Sequence, residues 1–578
     1  MEKNSLNRII FCGLMLAASF TASAQISPAS AASSVSPPPI VATDPTTSAT
    51  AAPPATPPPA DDPLAQAIYA RMQQMTPLQG GPLPRSDVTL AKAVSDFYAV
   101  RHDAAAWTDQ ANTDALLKSL AALDADGLNP EDYGLTDLTH ARDAAFAPGA
   151  SAEIKAAFDV QATSAYITSL VHLARGKVDP TSLDPNWNYD PVVIDPEGSM
   201  AAIQTALDER NVEQAYAMAR PQNPLYSSLR DGLKRMRDLA AQGGWKALPD
   251  GPTLKAGMTD PRVEALRARL VAGGYLDPTL ATGNRFDNPV TDAVKRFQAD
   301  QYLDADGTVG SGTIAALNIP IEQRIGQIRV NLERARWLLH ELQGTFVVVD
   351  IAGYKISFYR DGKLAWRSRV QVGKPYRSTP IFRSQITYIT FNPTWTVPPT
   401  ILKNDILPKV RKNPAYLANN RIRVLNSSGQ VIPASSVDWN NPRGITLRQD
   451  AGPGNSLGRV VIRFPNSFSV YLHDTPHQEM FNLQKRDTSS GCIRVENPLD
   501  LVQLLFNDDT KWNRQAIDDR IASAKTQNVT LPTAVPVLLA YWTVDIGDDG
   551  RIAFKPDIYD RDDPLLRALN KPSTVKLP

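Results

Sequence analysis

Apolar residues change their spacing as the chain proceeds, and the changes mark its parts. From 63 to about 250 they recur at helical intervals, as in Leu116, Leu117, Leu120 and Leu123, and again in Ile154, Phe158, Tyr166, Ile167, Leu170 and Leu173. Breaks at Asp126-Gly127-Leu128-Asn129-Pro130 and Asp184-Pro185-Asn186-Trp187 divide this stretch into helices. The pattern predicts a helical scaffold over 63–250. Residues 257–319 repeat the helical spacing in a smaller unit: Val263, Leu266 and Leu270, then Val290, Val294 and Phe297, with turns at Gly273-Gly274 and Asp306-Gly307. Over 321–343, Ile325, Ile328, Leu332, Ala335 and Leu339 predict one amphipathic helix that returns to the scaffold.

From 345 the period falls to two, or to short apolar runs. Phe346–Ile351, Lys355–Arg360 and Leu364–Val372 read as strands, with a hairpin turn at Asp361-Gly362. Strands resume at Val460–Phe464 and Ser467–Leu472, Pro498–Phe506 reads as a helix, and Val535–Phe554 closes with strands around Asp548-Asp549-Gly550. Between about 401 and 449 the pattern weakens, and Lys403, Lys409, Arg411, Lys412, Arg421 and Arg423 make the stretch basic. The expected fold class is therefore α+β and multidomain: helical units followed by a mainly β domain over 345–560, interrupted by an insertion, and a tail over 561–578.

Composition adds an address. Lys3 and Arg8, the apolar run Ile9–Phe20 and Ala22-Ser23-Ala24 make residues 1–24 a secretory signal with an Ala-x-Ala cleavage site. The apolar run is shorter than the roughly 20 residues a bilayer span needs, so export to the periplasm is expected, with an uncleaved anchor as the alternative. Residues 25–62, rich in Pro and Ala, cannot bury a core and read as a tether. Lys+Arg and Asp+Glu are equal at 60 each, so net charge gives no reason to expect nucleic acid as a partner.

Once the signal is removed, Cys492 is the only cysteine of an exported chain, which favours a reactive thiol over a packing one. A free thiol titrates near pH 8.5 and needs a base to react at neutral pH. His473, nineteen residues upstream, supplies one. Arg494 follows Cys492 by two positions, hence on the same side of an extended segment, where it either grips a substrate carboxylate or pairs with Glu496 or Asp500. Gly491 allows close approach of a ligand and frees the amides near Cys492 to meet an oxyanion. Tyr471, two residues before His473, shares its strand face. A zinc site of His473, His477 and Cys492 is disfavoured because Pro476 keeps the two histidines off one helix. His102, His140 and His172 lack companions at ligand spacing, so neither metal nor cofactor is expected.

His473 followed by Ser489-Ser490-Gly491-Cys492-Ile493-Arg494 resembles the signature of the L,D-transpeptidases, the YkuD-type catalytic domain. Ser490 stands where the usual motif has histidine, as in the large periplasmic branch of that family, which leaves His473 as sole general base. Val372-Gly373-Lys374-Pro375, Ser378-Thr379-Pro380 and the Asn392–Pro399 stretch containing Trp395 resemble loops of the same domain, and the insertion at about 401–449 resembles its lid. Residues 257–319 resemble the three-helix peptidoglycan-binding domain 1.

The resemblance implies a β-sandwich in which the Asp474 carbonyl orients His473, although on sequence grounds the Asp474 side chain is equally available. Ser489, Ser490 and Gly491 support the nucleophile loop and its oxyanion hole, and Arg494, Tyr471 and Trp395 bind substrate. It further implies a peptidoglycan tetrapeptide donor cut with release of D-Ala, a thioester on Cys492, transfer to a diaminopimelate amine in a 3→3 crosslink, and acylation by carbapenems. Water or a lipoprotein lysine are alternative acceptors, and other wall-synthesis enzymes are possible partners. The rival readings are a sortase-like transpeptidase, which shares the order His, Cys, Arg, and a non-catalytic wall-binding scaffold.

Overall fold

The structure, a computed structural model, describes residues 58–573 apart from 185–186, 188, 190–195 and 548. The signal segment 1–24, nearly all of the tether, Pro185-Asn186, Asp548 and the last five residues lie outside the described residues.

The β domain is built on β1 (Phe346–Asp350), β2 (Lys355–Arg360), β3 (Lys363–Gly373) and β4 (Phe382–Phe391). The lid contributes β5 (Trp395–Thr396), β6 (Ile422–Leu425), β7 (Val431–Ile432) and β8 (Thr446–Gln449). The chain then returns through β9 (Val460–Arg463), β10 (Leu472–His473), β11 (Asp487–Ser489), β12 (Ile493–Val495) and β13 (Gln527–Ala540). Nine strands form one sheet in the order β11-β3-β12-β10-β9-β4-β13-β1-β2, and β2 pairs back onto β3. The faces of the expected sandwich are thus parts of a single sheet closed on itself. Val347, Val349, Ile356, Phe358, Val370, Val372, Leu472, Ile493 and Val537 fill its interior at no more than 1% exposure, and the helix Pro498–Phe506 packs Leu499, Val502 and Leu505 into the same core.

Register decides which residues face away from that core. Leu472 pairs with Ile493 and His473 with Arg494 in the parallel β10–β12 ladder. Leu472 and Ile493 point inward, so Tyr471, His473, Cys492 and Arg494 share the opposite face; a one-residue slip would exchange the two sets.

The helix Ile321–Leu338 departs from the amphipathic expectation. Beyond the exposed Glu322 and Gln323, most of its polar residues are buried too and are bonded to neighbours instead of water: Gln327 donates to the carbonyls of Thr543 and Lys555, and Arg336, fully buried, pairs with Glu333 at 2.5 Å. This helix is a spine packed between scaffold and β domain. The expected tail also carries structure. Asp562–Asn570 is a helix that buries Leu565 and Leu569, and Leu566 sits so close to Gly326 that a Cβ there would meet it at 2.7 Å.

Residues 257–319 hold three helices, Arg262–Ala272, Asn288–Asp300 and Ser311–Leu317, around a core of their own. Buried Gln298 closes the turn that follows, accepting from Gly307 N and donating to Asp306 and the Thr308 carbonyl. The lid likewise has a separate core, of Val397, Ile406, Val410, Leu417, Ile422, Val424 and Leu447, under the sheet β5-β8-β6-β7. Trp395 belongs to this unit. It pairs with Gln449 across β5–β8 and packs on the core of the insertion.

Candidate active site

Four strands present one polar face. His473 comes from β10 with Tyr471 just before it, Arg494 from β12 with Cys492 just before it, Gln371 from β3 and Arg463 from β9. Gln371 pairs with Arg494 across β3–β12, and β9–β10 pairing of Ile462 with Leu472 sets Arg463 beside Tyr471. Cys492 and His473 are diagonal neighbours on adjacent parallel segments, on the order of 8 Å apart at Cα by strand geometry.

His473 is fixed by its neighbour. Nδ1 lies 2.5 Å from the Asp474 carbonyl oxygen, which can only accept, so the ring carries its proton on Nδ1 and keeps a lone pair on Nε2. Asp474 is held in turn: its carboxylate accepts from the Arg459 amide at 2.9 Å, from Arg459 Nε at 2.7 Å and from Gln478. This packing requires Gly458, at φ +64°, since a Cβ there would lie 2.5 Å from the Asp474 side chain. Of the two possibilities for Asp474, the main-chain carbonyl contacts the ring. Burial, with Arg494 next, lowers the His473 pKa to about 3, against the opposing pull of the Asp474 and Leu457 carbonyls.

The thiol is also neutral at rest. Burial raises the Cys492 pKa; the Tyr471 amide and hydroxyl, and more weakly Arg494 and Arg463, act in the opposite direction. Its S–H is turned to the Ser469 carbonyl at 3.7 Å. Ser469 adopts a left-handed φ of 57°, in a turn tied together by Asn466, which accepts from the amides of Phe468 and Val470 and donates to the carbonyls of Phe464 and Val470. A neutral thiol beside a neutral imidazole suits proton transfer during attack, not a preformed ion pair.

The loop before Cys492 is stapled by Ser489, whose hydroxyl donates to the Cys492 carbonyl at 2.6 Å and accepts from the Gly491 amide at 3.1 Å. Of the amides expected to be free, that of Gly491 is therefore engaged, while that of Cys492 has no acceptor among the described residues. Gly491, at φ +113°, also gives its carbonyl to Thr379 Oγ1. Ser490 turns away from the histidine and accepts from Arg377 Nη1 at 2.9 Å; the same nitrogen meets lid residue Asp405 at 2.6 Å. A loop from Lys374 to Thr379 thereby bridges nucleophile and lid.

Arg494 does not form the ion pair weighed as its alternative. Glu496 pairs with Arg369 at 2.5 Å and Asp500 with Arg514 at 3.2 Å, whereas Arg494 donates to Gln371 Oε1 at 3.2 Å. Arg494 Nε, Arg463 Nε and Gln371 Nε2 are all buried without an acceptor. Three orphaned donors around one thiol cost stability unless a ligand rich in acceptors meets them. Arg463 and Gln371 were not among the residues expected here. Each is a polar position within an apolar strand, at an alternation that matches Tyr471 or Arg494 only once the pairing is known. His477 is exposed and lies 3.3 Å from Glu479, away from the thiol.

A thiol, a tautomer-fixed imidazole and a field of hydrogen-bond donors on one sheet face, joined through Arg377 to the inserted segment at Asp405, are suited to acyl transfer. Residues 344–510 match the L,D-transpeptidase catalytic domain, 259–317 a "Putative peptidoglycan binding domain" and 92–233 a scaffold domain. It is 35% identical over 239 residues to a Haemophilus influenzae protein named "Putative L,D-transpeptidase", a match covering 41% of this chain and 48% of that one, so it spans about half the length of this curated relative. Among solved structures it is similar to an Enterococcus faecium L,D-transpeptidase (13% identity, 35% of this chain and 51% of that one, TM-score 0.18). A second is the L,D-transpeptidase of Xylanimonas cellulosilytica (16% identity, 50% and 99% covered, TM-score 0.16).

Proposed function

We propose that the protein is a peptidoglycan L,D-transpeptidase that forms 3→3 crosslinks through a thioester on Cys492. The observation that carries the reading is the shared face: a thiol and a tautomer-fixed imidazole beside three buried donors with no acceptor. Cys492 Sγ attacks the carbonyl of the third residue of a tetrapeptide stem while His473 Nε2 takes the thiol proton. The Cys492 amide, with the Tyr471 hydroxyl beside the sulfur, meets the oxyanion; donors of this kind are worth about 3 kcal/mol each. On collapse His473 returns the proton to the departing amine of D-Ala. The diaminopimelate amine of a second stem then attacks the thioester, losing its proton to His473, and the thiol is regenerated. Arg494, Arg463 and Gln371 bind carboxylate and carbonyl oxygens of the donor. Neither step calls for a cofactor.

Residues 259–317 hold the polymer that is the substrate, and the protein works in the periplasm at the cell wall. No described helix is long and apolar enough to cross a membrane. Carbapenems acylate Cys492 by the same attack on a carbonyl. The reading is tested by incubating purified protein with disaccharide-tetrapeptide and analysing products by mass. A 3→3 dimer with released D-Ala supports it; D-Ala release with only a tripeptide product selects water as acceptor. A sortase-like enzyme or a wall-binding scaffold predicts neither.

A further inference from the structure

A cleft of about 640 Å³ lies between the small helical module and the β domain, and neither Cys492 nor His473 lines it. Ala299, Tyr302 and Ala305 form one wall, from the end of the second module helix and the turn after it, and Lys355, Arg367 and Arg369 of β2 and β3 form the floor. Arg486 and Glu496 also line it, as does Asp300, whose carboxylate lies 3.3 Å from Arg551. The charges are unevenly spent. Arg369 is paired with Glu496, and Lys355 lies 3.1 Å from Asp545. Arg486 is bonded to the carbonyls of Val370, Leu483 and Tyr354, with no carboxylate partner among the described residues. Arg367 donates only to Ser357 Oγ, at 3.3 Å, and has no carboxylate partner either. Arg367 and Arg486 therefore make no close ion pair among the described residues, the Glu496 carboxylate acting on Arg486 only at longer range.

The floor continues to the catalytic face. Along β3, Arg367, Arg369, Gln371 and Gly373 alternate onto one side of the sheet. Across β12 the partners of Gln371 and Arg369 are Arg494 and Glu496. From Arg369 to Gly373, beside Cys492, is roughly 13 Å at the strand rise. We propose that this cleft is a second substrate subsite, which takes a carboxylate-bearing peptide stem of a glycan strand held by the module and lays that strand along β3 toward Cys492. The inference rests on the functional reading above.

The test uses the full chain and purified, insoluble peptidoglycan sacculi. In a Cys492→Ser background, where no turnover occurs, Arg367→Glu is expected to weaken co-sedimentation with sacculi about tenfold, the effect of losing one charge-assisted contact. Arg367→Lys keeps most of the binding. Ala305→Trp, which fills the cleft from the module wall, weakens it as Arg367→Glu does. In the active protein, Arg367→Glu slows reaction on sacculi while leaving that on soluble disaccharide-tetrapeptide unchanged. Sacculus binding by both folded variants equal to the parent, with thermal unfolding confirming the fold, overturns the proposal. Weakened binding in a protein that crosslinks neither substrate leaves the cleft standing and removes the transpeptidase reading instead.

Discussion

His473 donates from Nδ1 to the main-chain carbonyl of Asp474 at 2.5 Å, while the Asp474 side chain is clamped by Arg459 at 2.7 Å. One residue thus sets the tautomer of its neighbour without placing a carboxylate against the ring. The imidazole has no adjacent anion to favour its protonated form, and burial holds it neutral at a pKa of about 3.

This arrangement predicts the pH behaviour of the thiol. With both groups neutral at rest, alkylation of Cys492 by iodoacetamide should climb with pH through and beyond the ordinary thiol range, since burial raises its pKa. A preformed thiolate–imidazolium pair would instead give a rate plateau near neutrality. Stopped-time labelling with mass detection separates the two.

Stability carries the same signature. The His473 pKa is depressed on folding, so below about 6.5 the unfolded chain binds a proton that the folded one does not, and stability falls as pH falls toward 3. Between pH 7 and pH 5 this residue alone costs about 2 kcal/mol. His473→Asn should lose less stability over that interval than the parent by about that amount, read from denaturant unfolding at each pH. His172 and His340, also buried with lowered values of about 3 and about 4, contribute equally to both proteins and cancel.

Gly458→Ala tests the support of the base. Its Cβ would overlap the Asp474 side chain at 2.5 Å, in a backbone conformation that disfavours alanine. A loss of about 2 kcal/mol or more in unfolding free energy is expected, with loss of activity beyond what the folded fraction explains.

Arg463→Gln is expected to raise KM for the tetrapeptide donor about tenfold or more, with a stability loss of only about 1 kcal/mol, because its Nε has no acceptor to lose and only the stacking of its guanidinium over the Tyr471 ring, at 4.7 Å, goes. Arg377→Ala removes the bridge from Ser490 to Asp405 and should lower turnover by about three- to tenfold with the fold intact. Steady-state kinetics on soluble donor reads both. Deleting about Lys403–Asn441 extends the second test: the lid has its own core, so turnover should suffer more than folding.

How much of this was legible beforehand follows from the range of each interaction. Tyr471 with His473, and Cys492 with Arg494, are two residues apart, and alternation alone puts each pair on one strand face. The helical scaffold, the small module and the lid announced themselves by changes of period. Arg463 and Gln371 did not, because their place depends on pairing with strands distant in sequence. The pairing of Trp395 with Gln449 across β5–β8 spans more than fifty residues and was equally out of reach. The polar side of Ile321–Leu338 looked like a wet face and is buried, since Gln327, Asn331 and Arg336 find partners in elements from opposite ends of the chain. The engagement of the Gly491 amide by Ser489 is local, but hydroxyl direction is not written in a motif.

The central claim is that one sulfur carries the acyl group. Protein mixed with a tetrapeptide donor and quenched early should show, in the intact mass, an adduct equal to the stem less D-Ala, mapped by peptide digestion to residue 492 and absent from Cys492→Ala. A crosslinked product formed at undiminished rate by Cys492→Ala, or an adduct on another residue, would contradict the account.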